Sequence, residues 1–262
     1  MPIENNVGYS KESSTKQEGL RAMLAYQIGV CKYITKRYNT KYVYIDTNAG
    51  PGYVPKSHLD GSPIIFIKMA EHIGISYNAY CIEKTKKNVT LLEQYIGNQR
   101  IAHGNCYIYR GNNEMILPQV CNQIKDGSYG LVYHDQTKLP NFKMLQTMFN
   151  DYRFRHIDCL IRVPATAIKR VRSRYTEKET LVEELEKINK THWTIRKLNP
   201  SDRWQWTFLF GTNWKDVKNY KSKGFYRIDS EIGKNILKYA NLTAKEKAIY
   251  KKSGQQTLEM VL

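Results

Sequence analysis

The chain has 262 residues, enough for one large α/β domain or a domain with a modest appendage. Lys and Arg number 41 against 24 Asp and Glu, and the formal net charge of +17 points to a polyanionic partner, nucleic acid first among them. No apolar run approaches the roughly 20 residues that span a bilayer, so no membrane partner is expected. Five singly scattered cysteines without a C-x-x-C pair give no support to a zinc or dithiol site. With no signal sequence in view, they fit a reducing, cytoplasmic setting.

Residues 1–15 are polar and read as a loose lead-in. From Lys16 to Arg37, Leu20, Met23, Leu24, Ile28, Val30, Cys31 and Ile34 recur at helical spacing, with Ser13, Ser14 or Thr15 as the cap. Tyr42–Asp46 is a short apolar strand ending in a carboxylate, and Thr47-Asn48-Ala49-Gly50-Pro51-Gly52 after it is a glycine turn. Tyr53–Asp60 reads as irregular. Gly61-Ser62-Pro63 opens a helix, with Ser62 as its cap and Pro63 in the first helical position. Asn78–Glu83 is a second buried strand ending in a carboxylate. A helix over Lys86–Ile96, a strand over Asn105–Tyr109 and a helix over Glu114–Lys125, shortened or kinked at Pro118, follow. Gly130–Asp135 is a fourth strand, again with an acidic tip, and Asn141–Phe149 a short helix. Ile157–Val163 is a fifth strand. Cys81, Cys106 and Cys159 fall inside strands, as small buried hydrophobes.

Strand and helix alternate steadily through this region, which implies a Rossmann-like, doubly wound, mostly parallel sheet. Carboxylates gathered at the carboxyl edge of such a sheet need a ligand, a cation or water. Beyond Pro164 the character changes. Lys169–Lys190 is charged and helical, His192–Ile195 and Trp204–Phe210 read as an aromatic antiparallel hairpin, and Ser230–Tyr239 is a last helix. The domain reading is a helical lead-in over 1–40, a Rossmann-like domain over 41–214 and a basic helical extension over 215–262.

The D-x-x-x-G-x-G spacing of Asp46, Gly50 and Gly52 is that of the first nucleotide-binding loop of S-adenosylmethionine (SAM) methyltransferases. On that reading Gly50 and Gly52 give close backbone approach. Glu83 accepts hydrogen bonds from the ribose hydroxyls, and Asn112 is the polar group beside the adenine. A plain structural turn at Gly50-Pro51-Gly52, and a surface acid answering Lys84, Lys86 and Lys87, are the competing explanations.

Tyr44-Ile45-Asp46-Thr47-Asn48-Ala49-Gly50-Pro51-Gly52 followed by Gly61-Ser62-Pro63 resembles the three-Cys-motif partner protein family, whose loop reads Y-I-D-x-x-A-G-P-G with a later G-S-P. It is also similar to the large-subunit ribosomal RNA adenine methyltransferase family. The resemblance runs from about Lys16 to Val163 and implies a SAM-methyltransferase fold in which Lys16, Asp46, Ser62 and Glu83 contact the cofactor. It departs at the fourth strand. Where those families carry D-P-P-Y or D-P-F/Y-G, this chain has His134-Asp135-Gln136-Thr137-Lys138. Asp135 remains to orient a target amine, while the prolines and the aromatic that stacks on a flipped base are gone. Three functions stay open: a SAM-dependent methyltransferase acting on DNA or RNA, a non-catalytic nucleic-acid-binding or accessory subunit with a protein partner, and a protein that binds a different nucleotide cofactor on the same fold. For nucleic acid, Lys169, Arg170, Arg172, Arg174, Lys215 and Lys218 are the phosphate-binding candidates. Lys221 and Lys223 lie close by, interleaved with Trp214, Tyr220, Phe225 and Tyr226.

Overall fold

The computed structural model describes residues 12–54, 58–136, 139–164, 181–197, 206–215 and 220–241. These fall into two compact units. The first runs to His134 and includes Asp151–Asp158; the second holds Asp135–Asn150 and the chain from Cys159 onward.

The first unit is built on helix α1 (Glu12–Arg37) and strand β1 (Tyr42–Asp46). A small hairpin follows, β2 (Tyr53–Val54) with β3 (Leu59–Asp60), then α2 (Ser62–Ile73), β4 (Tyr77–Glu83) and α3 (Lys86–Gly97). Strand β5 (Gly104–Arg110), α4 (Asn113–Cys121) and β6 (Gly130–His134) complete it. The strands β6, β1, β4 and β5 lie side by side in that order, all parallel, with Asp46 level with Cys81 on one side and Tyr133 on the other. The chain therefore moves outward from β1 through β4 to β5, then crosses back to lay β6 on the other flank of β1. This is the α/β, Rossmann-like arrangement that the alternation implied, with its topological switch point between β1 and β6.

Tertiary packing follows from the apolar stripes. Leu20, Met23, Leu24 and Ile28 of α1 are buried, as are Ile64, Ile65, Phe66, Ile67 and Ala70 of α2. Phe66 is the centre of this layer. Its ring stacks on Tyr44 at 4.1 Å between centroids and meets Tyr77 edge-on at 5.2 Å. At the amino-terminal ends of the strands, buried Gln27 donates from Nε2 to the Gly130 carbonyl (2.8 Å) while its Oε1 accepts from the Tyr42 hydroxyl. One amide side chain thus ties α1 to the roots of β1 and β6, and leaving either partner unsatisfied costs about 1–3 kcal/mol.

In the second unit, β7 (Ile157–Pro164, from Cys159 on) pairs antiparallel with β9 (Trp206–Thr212), which pairs antiparallel with β8 (His192–Arg196), which in turn pairs with β10 (Phe225–Arg227). Helices α5 (Phe142–Phe149), α6 (Leu181–Glu186) and α7 (Glu231–Asn241) belong here. The C-terminal antiparallel hairpin of the sequence reading is β8 with β9.

Several local expectations are corrected. Helix α1 already includes Glu12, so Ser13, Ser14 and Thr15 lie inside the helix rather than capping it. The segment after the glycine turn is a two-stranded hairpin, with Tyr53 opposite Asp60 and Val54 opposite Leu59. Gly61, with extended backbone, is the N-cap of α2, Ser62 is its first residue, and no side-chain cap bond is made. Helix α4 ends at Cys121 with Pro118 inside it. Cys106 is only half-buried, because β5 is the outermost strand of its unit and shows one face to solvent.

Candidate cofactor site

The carboxyl edge of the parallel strands is where the acidic residues gather, and the loops there are fastened to one another. After β1 the Ala49 amide donates to the Ile82 carbonyl at 2.9 Å, and after β5 the Gly111 amide donates to the Glu83 carbonyl at 3.0 Å. Both loops are thereby hung on the end of β4. The Gly50 amide donates to Glu83 Oε2 at 3.0 Å, so the glycine turn and the acidic tip of the second long strand form one constellation. Glu83 Oε1 accepts from the Thr85 amide (2.8 Å) and from Asn88 Nδ2 (3.3 Å), which fixes the carboxylate's rotamer. A carboxylate has about four acceptor positions, so Oε2 keeps capacity for a further donor.

Asp46 is fully buried. Its Oδ2 accepts from the Tyr44 hydroxyl at 3.1 Å and its Oδ1 from the Asn48 amide at 3.1 Å. Burial first, and the neighbouring Asp46 carboxylate second, hold the Tyr44 phenol well above its ordinary pKa, which keeps it a donor. Burial and then Asp46 also push the Cys81 thiol up, so that cysteine is an inert filler. Asp46 shapes the turn from beneath; Glu83 is the carboxylate that reaches its rim.

The two glycine motifs prove to be one object. The Gly61 amide donates to the Gly52 carbonyl, and a Cβ on Gly61 would lie 2.9 Å from the Gly52 carbonyl carbon and oxygen. Gly52, at φ +81°, is itself closed in by Leu92 Cδ1, 2.8 Å from where its Cβ would sit. Gly50, at φ +65°, differs. A Cβ there would meet nothing within 4 Å. Gly52 and Gly61 are small because protein packs on them, whereas Gly50 is small beside open space.

Ser62 stands at the start of α2, immediately after this contact. Lys16 lies half-buried on α1 beside Gln17, whose amide donates to the carbonyl of Asp60, the residue before Gly61. Asp60 also pairs with Arg21 at 3.4 Å and Lys68 at 2.9 Å. The start of α1 is thus tethered to the Gly61-Ser62-Pro63 turn. Asn112 caps α4 by accepting from the Glu114 amide at 3.4 Å and is exposed. Its neighbour Asn113 reaches Asn48 Oδ1 at 3.5 Å, bringing the loops after β1 and β5 together.

At the switch point, Thr47 Oγ1 lies 2.7 Å from His134 Nδ1, and the Thr47 amide donates to the Tyr133 carbonyl. Sequence reasoning assigned no role to Thr47, Asn48, Asn113 or His134. Thr47 and Asn48 sit inside the glycine motif, so its letters carried the signal; His134 reads from the sequence as a hydrogen-bonded strand-end residue, which its contact with Thr47 matches, and Asn113 had no signal.

No protein-family model matches the chain, and no curated protein does either. Solved structures do. The fold is shared with LPL1258 from Legionella pneumophila, at 11% identity and a TM-score of 0.50, over 85% of this chain and 93% of that one. A putative methyltransferase, yhhF from Escherichia coli, is similar at 10% identity and a TM-score of 0.46, over 82% of this chain and 92% of that one. The bifunctional kinase-methyltransferase WbdD matches at 8% identity and 0.47 over 75% of this chain, which spans 39% of WbdD.

Asp135 belongs to the second unit. It follows the end of β6, and its Oδ1 is 3.2 Å from Arg162 Nη1, an ion pair in which both side chains are largely buried. The Arg162 and Arg196 guanidinium carbons each lie 5.9 Å from the centre of the buried Trp206 ring. Thr137 and Lys138 of the same motif lie outside the described residues, as do Lys169, Arg170, Arg172, Arg174 and Lys218. Lys215 is exposed. Phe225, which the sequence leaves as either a stacking ring or a core-forming aromatic, is fully buried on β10, where it supplies core to the second unit.

Proposed function

We propose that the protein binds SAM at the carboxyl edge of β1 and β4 and works as a methyltransferase on nucleic acid. The observation that supports this best is the Gly50–Glu83 constellation: a left-handed glycine beside open space, its amide held by a carboxylate that still has acceptor capacity. These residues fit the cofactor. Gly50 leaves room for its methionine portion, Glu83 accepts from its ribose hydroxyls, and the Asn112–Asn113 turn is the polar wall for its base. Lys16 and Ser62, beside the joined glycine motifs, are proposed contacts with its charged end. When bound, SAM supplies an electrophilic methyl group. The chain's own part is to orient that group, keep water away and hold the acceptor, for which Asp135 is the proposed residue. Nucleic acid is the substrate class best matched by the net charge of +17.

Calorimetric titration with SAM and with its demethylated product tests the cofactor assignment. Micromolar binding is expected, weakened at least tenfold in Glu83→Ala, since a charge-assisted hydrogen bond contributes about 1.5–3 kcal/mol. Equal affinity in wild type and Glu83→Ala would remove the assignment. A second reading, a non-catalytic accessory protein on the same fold, is favoured by the Asp135–Arg162 ion pair, which gives that carboxylate a structural partner. Transfer of a labelled methyl group to RNA or DNA separates the two readings.

A further inference from the structure

The opposite end of the parallel strands, where β1 and β6 begin, carries a second feature that the cofactor crevice does not use. Tyr38 follows α1, Tyr129 precedes β6 and His156 precedes β7, and their three rings stack in series. Tyr38 and Tyr129 have centroids 6.4 Å apart and planes within 10°; Tyr129 and His156 are 4.9 Å apart and within 16°. The series ends in solvent, for Tyr38 is 59% exposed. The Arg37 guanidinium lies 5.8 Å from the Tyr38 ring centre. One turn back along α1, Tyr33 is 79% exposed and shares a helix face with Lys36 and Arg37 by the three- and four-residue spacing.

Among the described residues, the exposed charge around these rings is mostly basic. Lys36, Arg37 and Lys41 are exposed on the α1 side, and Arg155 stands beside His156 with its Nε 3.0 Å from His156 Nε2. Carboxylates in the flanking segments that are described have partners. Asp126 pairs with Arg155 at 3.6 Å, Asp151 with Arg153 at 2.5 Å, and Asp158 is buried with Gln27 at 3.4 Å. Rings needed only for packing would be covered, whereas Tyr33 and Tyr38 are largely exposed next to cations. Aromatic faces beside basic side chains are what a single nucleic-acid strand requires, since every base has a face to stack and every phosphate a charge to pair. A folded protein partner would need an acidic surface here and would gain little from parallel ring faces.

We infer that Tyr33, Lys36, Arg37 and Tyr38, backed by the Tyr129–His156 stack, form a docking surface for single-stranded nucleic acid. It lies at the far end of the strands from Asp46 and Glu83, roughly 13 Å away along β1 at 3.3 Å per residue. It does not depend on SAM being the cofactor. Because stacking and phosphate pairing ignore the 2′-hydroxyl, it takes RNA and DNA strands alike.

Fluorescence anisotropy of the full chain with a labelled oligouridine, the matching oligothymidine and a duplex of the same length tests this. Single strands of both sugars are expected to bind more tightly than the duplex. Tyr33→Ala combined with Tyr38→Ala should weaken single-strand binding tenfold or more, the Tyr33→Phe, Tyr38→Phe pair should retain it, and Arg37→Glu should flatten its salt dependence. Calorimetry with SAM on the same alanine variant reports whether the crevice is intact, so failure here is distinguishable from failure of the cofactor assignment. Wild-type affinity in the alanine variant, or duplex bound as well as single strand, would overturn the inference and leave the surface to a protein partner.

Discussion

Gly50 and Gly61 sit in the same loop pair for opposite reasons, and substitution separates them. Alanine at Gly50 must take φ +65° but meets no atom within 4 Å. A left-handed alanine costs about 1–2 kcal/mol, and its methyl group would stand where the cofactor is proposed to lie. Alanine at Gly61, whose φ is −73°, suffers no backbone penalty but strikes the Gly52 main chain at 2.9 Å. Crowding of that kind costs about 1–3 kcal/mol, and the pair of motifs must separate to relieve it. In Gly50→Ala, SAM affinity should fall further than stability does; in Gly61→Ala, urea unfolding should show the larger loss. Urea curves and calorimetry on both proteins check the pair, and identical behaviour would mean the loop has no ligand side. This distinction was not legible in the sequence, where all three glycines look alike. The letters do show that a turn follows a strand ending in Asp46. They do not show that Asp46 accepts from the Tyr44 hydroxyl and the Asn48 amide, because a carboxylate at a strand tip reads the same with or without those bonds.

Among the elements, α2 is locked at both ends by different means. Its start rests on the Gly52–Gly61 contact. Near its end, Glu71 accepts from the Ala102 amide at 3.0 Å, the His103 amide at 3.1 Å and the Tyr77 hydroxyl at 3.0 Å, joining the helix to β4 and to the approach to β5. Partial burial works to raise the Glu71 pKa, but these three donors prevail and hold it below the ordinary carboxylate range. A carboxylate depressed in the folded state contributes stability above its unfolded pKa of about 4.3 and loses it as pH falls through the lower folded value. Glu71→Gln should therefore be less stable than wild type at pH 7, with the difference shrinking below about pH 4. Thermal unfolding of both proteins across pH 3–7 measures it, and a pH-independent difference would show that packing rather than the charge is responsible. Most elements were readable from period and punctuation, as with β1, β4 and β6, whose apolar runs end in polar turns. The β2–β3 hairpin was hidden because two-residue strands have no period to read. Ser62 looked like a cap because serine usually is one, yet the close approach to Gly52 assigns that position to Gly61.

At the scale of the whole molecule, the excess of 41 basic over 24 acidic residues has two possible meanings, a diffuse field or a bound strand, and salt tells them apart. A diffuse positive surface speeds encounter with nucleic acid, whereas phosphates paired one by one release counterions, and for a single strand the logarithm of affinity falls by about 0.7 per phosphate for each logarithm of salt. Lys169, Arg170, Arg172 and Arg174 are four charges within six positions of the sequence. If each pairs with a phosphate, replacing all four by alanine should reduce the slope by about 3. If the +17 acts only as a field, the slope should hardly move while the association rate drops. Anisotropy titrations of wild type and the quadruple variant at several salt concentrations, with stopped-flow association alongside, give both quantities. SAM calorimetry on the same variant should be unchanged, because the bonds that join Asp46 to Tyr44 and Gly50 to Glu83 lie within the first unit. An unchanged slope together with an unchanged rate would remove this cluster from nucleic-acid binding. The aromatic–basic surface around Tyr33 and Tyr38 would then be the place to look for the strand.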